Sequence, residues 1–194
     1  MYKKLLTSLT FLTIFLIVLV NIVINYYMAN TAFFGLDPNN TMAKVFLFNP
    51  KAPLNYFGIT FISSIFYHKS IHHLVSNLIL FFFASISLEK KLGKLRMLQL
   101  YLFTNVLTLF VILINYSIIT PSKTILLSGI SLIASALLSF NFVYFKKTFM
   151  LILCGIVFAF YGFQSTSEII DPHIISYVIG GVLAFYVNKR LKAI

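Results

Sequence analysis

Six runs of apolar residues constrain this chain more than anything else in it. They lie near 5–27, 71–88, 97–116, 125–144, 148–163 and 172–188. Each is long enough, or nearly so, to cross a bilayer as a helix, which takes roughly 17–25 residues. Over the 194 residues, 60% are hydrophobic and 10% charged, with a mean hydropathy of +0.96. Soluble chains run about 45–50% apolar and about 25% charged, so a water-soluble domain could not bury this much apolar surface. The expectation is an all-α polytopic membrane protein, residues 1–194 forming one membrane domain. The first run follows Lys3 and Lys4 and lacks a small-x-small cleavage signal. Its twenty or so residues exceed the usual 7–15 of a signal peptide's apolar core, which predicts a retained first span.

A net charge of +11 would suit nucleic acid if it formed a stripe, but the basic residues punctuate the apolar runs instead, so no nucleic-acid partner is expected. With both termini cytoplasmic, eleven basic residues face inward: Lys3, Lys4, Lys90, Lys91, Lys94, Arg96, Lys146, Lys147, Lys189, Arg190 and Lys192. Only Lys44, Lys51, Lys69 and Lys123 face outward. Positive charge concentrates on cytoplasmic segments, which fixes this orientation for six spans. The long external loop, 28–70, mixes turn residues such as Asp37-Pro38 and Asn49-Pro50 with Phe46, Phe48, Tyr56, Phe57, Phe61 and Phe66. That mixture predicts a structured loop in the membrane interface. The single cysteine, Cys154, excludes an intrachain disulfide and a cysteine metal site.

Against this background the polar residues inside the spans stand out, since polar groups at membrane depth face a protein interior or a water-filled cavity. His73 lies 16 residues before Glu89, Asn77 lies 12 before Glu89, Ser128 lies 18 before Lys146, and His173 lies 16 before Lys189. At about 1.5 Å per helical residue, Ser128, His73 and His173 share a layer about 24–27 Å above the cytoplasmic edge, with Asn77 one turn deeper. A serine becomes a nucleophile when a neighbouring base takes its proton, and an imidazole suits that task. A developing oxyanion needs fixed donors, and His73 and Asn77 are i and i+4 on one helix face. No carboxylate is available to orient the histidine, so the set is a dyad. His68 and His72 share a helical face as well, but Lys69 stands where a zinc-protease helix has its glutamate. No metal and no cofactor are expected.

At these residues the sequence resembles the rhomboid family of intramembrane serine proteases. The resemblance rests on His68-x4-His73-x3-Asn77, followed by Glu89-x3-Gly93, within residues 67–101. It implies a six-transmembrane-helix rhomboid-like bundle in a bacterial plasma membrane, with the active site open to the outside. It also implies Ser128 as nucleophile beside Gly129, His73 and Asn77 as oxyanion donors, and His68, Glu89 and Gly93 in structural or water-facing roles. Substrates would be transmembrane or membrane-adjacent segments of single-pass proteins, with small residues at the cleavage point.

The family's Gly-x-Ser-Gly reads Leu126-Leu127-Ser128-Gly129 here, and Leu132 replaces an aromatic residue frequent four positions after the serine. The histidine of the last span has two registers. Alignment on Gly180-Gly181 puts Val178 in its place, which describes an inactive protein that binds transmembrane helices without cutting them. Alignment on His173 puts Ser176 and Gly180 at the small positions. Val178 lies about 8 Å below His173, beneath the serine layer, so depth favours His173 as the base. Gly180 and Gly181 suit helix packing in either register.

Overall fold

The computed structural model describes residues 8–27, 45–68, 70–119, 127–150, 152, 154 and 172–191. Among these the chain is helical, and its only strand-like pairing is one isolated antiparallel bridge between Phe48 and Leu127. The α-helices among the described residues are α1 (Leu9–Tyr27), α2 (Thr60–Ser63), α3 (Ile71–Leu92), α4 (Lys94–Ile119), α5 (Ser131–Tyr144) and α6 (Pro172–Leu191), with a 3-10 helix at Asn55–Gly58. Five of the six expected spans have a helical counterpart. Most of the fifth, 148–163, lies outside the described residues. By length and composition, α3 and the 94–116 part of α4 could cross a membrane. Large apolar side chains point outward on every long helix except α5, among them Phe15, Phe83, Phe103 and Phe185. Such outward apolar faces fit a lipid surround.

Helix boundaries follow local chemistry. Ser70 caps α3, its hydroxyl accepting the His73 N–H at 3.1 Å, which satisfies one of the donors that a helix start leaves unpaired. The far end stops at Gly93, whose N–H bonds the Glu89 carbonyl at 2.9 Å. Gly93 has φ of +82°, and a Cβ there would meet nothing within 4 Å. Glycine is therefore required for backbone conformation, and the chain turns at once into α4. Lys94 and Arg96 accordingly sit in the first turn of α4, not in a connecting segment.

The fourth span departs from expectation. The apolar run from 125 predicts continuous helix, but α5 begins only at Ser131. Leu127 pairs with Phe48 through two backbone hydrogen bonds of 2.9 and 3.0 Å, and Gly129 adopts φ of +94°. A residue committed to a ladder, followed by a left-handed one, cannot continue a helix. Ser128 thus stands on a turn ahead of α5.

α5 is the centre of the bundle. Eleven of its residues are buried, from Ser131 to Phe142, the polar Ser131, Ser135, Ser139 and Asn141 among them. Its tightest neighbour is α6, and the contacting pairs rise together in sequence. His173 meets Ser131, Ser176 bonds the Leu132 carbonyl, and Asn188 donates to the Val143 carbonyl at 3.2 Å. The two helices therefore run parallel. A Cβ on Gly180 would lie 1.9 Å from the Ala136 carbonyl oxygen, so backbone packs on backbone, the contact small residues permit between membrane helices.

Buried polar side chains tie the remaining elements together. Glu89 caps the start of α1, accepting from Ser8 Oγ (2.7 Å), Leu9 N (2.7 Å), Thr10 N (2.9 Å) and Thr10 Oγ1 (2.6 Å). A carboxylate at a helix N-terminus also complements the helix dipole. Asn141 on α5 donates to the Ala84 carbonyl on α3 at 3.1 Å, and Asn105 on α4 donates to the Phe61 carbonyl. Of the loop expected over 28–70, residues 45–68 and 70 are described. Phe48 and Tyr67 are buried in the fold, while Leu54 and Phe57 stand exposed at its tip.

Candidate active site

The turn carrying Ser128 is held from two sides. Gly129 N–H donates to the Ser64 carbonyl at 2.7 Å, and Ile130 N–H points at His68 Nε2 from 3.4 Å. The backbone at His68 is itself fixed, its main-chain N–H donating to Asn21 Oδ1 on α1 at 3.0 Å. The residue is completely buried. Burial first, and the nearby His73 second, pull its pKa down to about 4, so the ring is neutral and its Nε2 can accept.

His68 and His73 lie against Gly129, their ring centroids 5.1 Å apart. A Cβ on Gly129 would come within 3.1 Å of His68 Nε2 and 3.2 Å of His73 Cε1. Both the positive φ and the two imidazoles thus require glycine after Ser128. Asn77 is four residues along α3 from His73 and buried, and its Nδ2 has no hydrogen-bond partner among the described residues. Ser128 Oγ is likewise buried and unpartnered. Buried polar atoms without partners are unusual, and the Ser128 hydroxyl and the Asn77 amide are two of them.

From α6, His173 reaches this end of α5, but its hydrogen bond is to Ser131. Nε2 and Ser131 Oγ are 3.0 Å apart. Sequence reasoning singled out Ser128 and missed Ser131. A signal for it existed, because Ser131, Ser135 and Ser139 recur at intervals of four, and all three are buried. That spacing marks one face of a helix, and Gly181 of α6 packs onto the Ser139 hydroxyl. Val178, the other candidate for the histidine position, is more than half exposed and lines a separate cavity with Phe142, Val143 and Phe185. Leu126 lies outside the described residues.

A family model of the Rhomboid domain matches residues 58–190. The chain belongs to the rhomboid family. It is accordingly an integral membrane protein. A search of curated proteins gives no match. The rhomboid match takes in α2 to α6, and with them His68, His73, Asn77, Ser128, Ser131 and His173. α1 stands outside it and is joined to the rhomboid domain by the Glu89 cap and the Asn21 contacts. Glu89 and Gly93 thus act at the end of α3 far from the serines. One seats a neighbouring helix, and the other turns the chain.

Proposed function

We propose that this rhomboid-family protein is an intramembrane serine endopeptidase with six spans and cytoplasmic termini. It cleaves transmembrane or membrane-adjacent segments of single-pass proteins near the outer face of a bacterial plasma membrane. The observation that carries this reading is the 3.0 Å contact of His173 Nε2 with Ser131 Oγ, three residues after Ser128, which brings an imidazole to the head of α5. Base and nucleophile must come within hydrogen-bond reach, so in this scheme substrate binding moves the imidazole from Ser131 to Ser128. In the proposed reaction Ser128 Oγ attacks the scissile carbonyl and His173 Nε2 takes its proton. The carbonyl oxygen gathers charge facing the Ser128 N–H, His73 and Asn77 Nδ2. Collapse breaks the C–N bond as His173 returns the proton to the leaving amine. Water, deprotonated by the same imidazole, then releases the acyl group from Ser128. Ser131 holds the imidazole at this level when no substrate is bound.

Labelling with a fluorophosphonate probe tests the scheme. Loss of label in Ser128→Ala and His173→Ala, with label retained in Ser131→Ala, is the expected pattern. Label retained in Ser128→Ala and lost in Ser131→Ala would transfer the nucleophile to Ser131. A second reading, a client-binding protein without peptidase activity, is favoured by the absence of a hydrogen bond between Ser128 Oγ and any imidazole. It predicts a folded wild-type protein that takes no label and still captures a single-pass client after Ser128→Ala.

A further inference from the structure

At the opposite end of the bundle from the serines, a cavity of about 720 Å³ opens where α3 gives way to α4, against the last turns of α5 and α6. Its rim carries Lys91, Arg96 and Gln99, and its wall is apolar, built from Phe103, Leu183 and Val187 among others. Four basic residues, Lys90, Lys91, Lys94 and Arg96, fall within seven positions here. The only carboxylate among the described residues is Glu89. That carboxylate is turned away, with its oxygens occupied by Ser8, Leu9 and Thr10 of the α1 start. Neither Lys91 nor Arg96 has an ion-pair or hydrogen-bond partner among the described residues.

We infer that this cavity binds one anionic phospholipid, with the phosphate at Lys91 and Arg96 and an acyl chain along Phe103 and Leu183. The argument is charge complementarity over an apolar slot. The two cations project at the interfacial end of helices whose outer faces are apolar, and the slot between α4 and α6 descends from them. A free phosphate would use the rim alone, a neutral lipid only the wall, and an anionic phospholipid uses both. Basic pockets between spans are suited to such headgroups, each charge near the surface adding about fivefold in affinity. The site is separate from the serines and does not rest on peptidase activity.

Native mass spectrometry of the delipidated full-length protein in neutral detergent, titrated with phosphatidylglycerol or phosphatidylcholine, is the test. Phosphatidylglycerol should bind at least tenfold more tightly. The double variant Lys91→Gln/Arg96→Gln should weaken it about 25-fold and abolish the preference, whereas Lys147→Gln, away from the cavity, should change it less than twofold. Leu183→Trp, which fills the wall and leaves the charges, should also weaken phosphatidylglycerol. Equal binding of the two lipids, or a loss below fivefold in the double variant, overturns the inference. Competition by inorganic phosphate as effective as by the lipid also overturns it, since that describes a phosphate site without an acyl slot.

Discussion

Gly180→Ala is the substitution on which the architecture of the site depends most directly. The new Cβ would stand 1.9 Å from the Ala136 carbonyl oxygen, 2.6 Å from its carbon and 2.8 Å from Ala136 Cα. All three are backbone atoms of the central helix, so no side chain can rotate out of the way. Ordinary contact requires about 3.4 Å, and α6 must therefore retreat from α5 by about 1.5 Å or rotate by an equivalent amount. Forcing one methyl into a filled contact costs about 1–3 kcal/mol. The same displacement carries His173, two helical turns away, from 3.0 Å to beyond hydrogen-bond reach of Ser131. The measurement is thermal unfolding of wild type and Gly180→Ala in one detergent, paired with fluorophosphonate labelling. A lowered midpoint with reduced labelling is expected. Gly93→Ala supplies the contrast, because there a Cβ has open space and only the φ of +82° is strained. It should lower the midpoint by an amount equivalent to about 1 kcal/mol and leave labelling intact. An unchanged midpoint in Gly180→Ala would refute the backbone-on-backbone contact and the register of α6 built on it.

Gly129→Ala adds both strain and a clash with His68 and His73; it should abolish labelling at Ser128 while the helical circular dichroism persists. Glu89→Gln replaces an acceptor-only group that serves four donors with one that presents its own N–H₂ to them. The expected loss is about 1–3 kcal/mol of stability and protease sensitivity at the start of α1, read by limited proteolysis. His68 gives a pH dependence. Its folded pKa, about 4, lies below the unfolded value of 6.5, so its neutral form contributes stability above pH 6.5. That stability is lost as pH falls from 6.5 toward 4, by on the order of 3 kcal/mol in full. His68→Gln should flatten this part of the unfolding-midpoint profile, and an unaltered slope would count against a buried neutral imidazole.

Much of the architecture could be read from residue order because a bilayer leaves few choices. Apolar runs of helical length must become helices with every backbone group paired internally, and α1, α3, α4 and α6 appear within a few residues of where those runs fall. The H-x4-H-x3-N and E-x3-G spacings were likewise legible, since an interval of four lies along one helix face. They located His73, Asn77, Glu89 and Gly93 on α3 and at its end. Tertiary structure alone decided what these residues touch. Glu89 turned out to cap α1, a partner some eighty positions distant in sequence. Asn105 and Asn141, uninterpretable by spacing, proved to be tethers between elements. The start of α5 was decided by a backbone bridge to Phe48, a long-range pairing that overrode the apolar run and put Ser128 on a turn. Counting residues at a constant helical rise puts His173 level with the head of α5, but could not say that its hydrogen bond goes to Ser131. Which serine it meets depends on how far Gly180 lets α6 sink against α5, and on the rotation of each helix about its axis. Both are properties of two surfaces in contact, and neither is written in the order of residues along one of them.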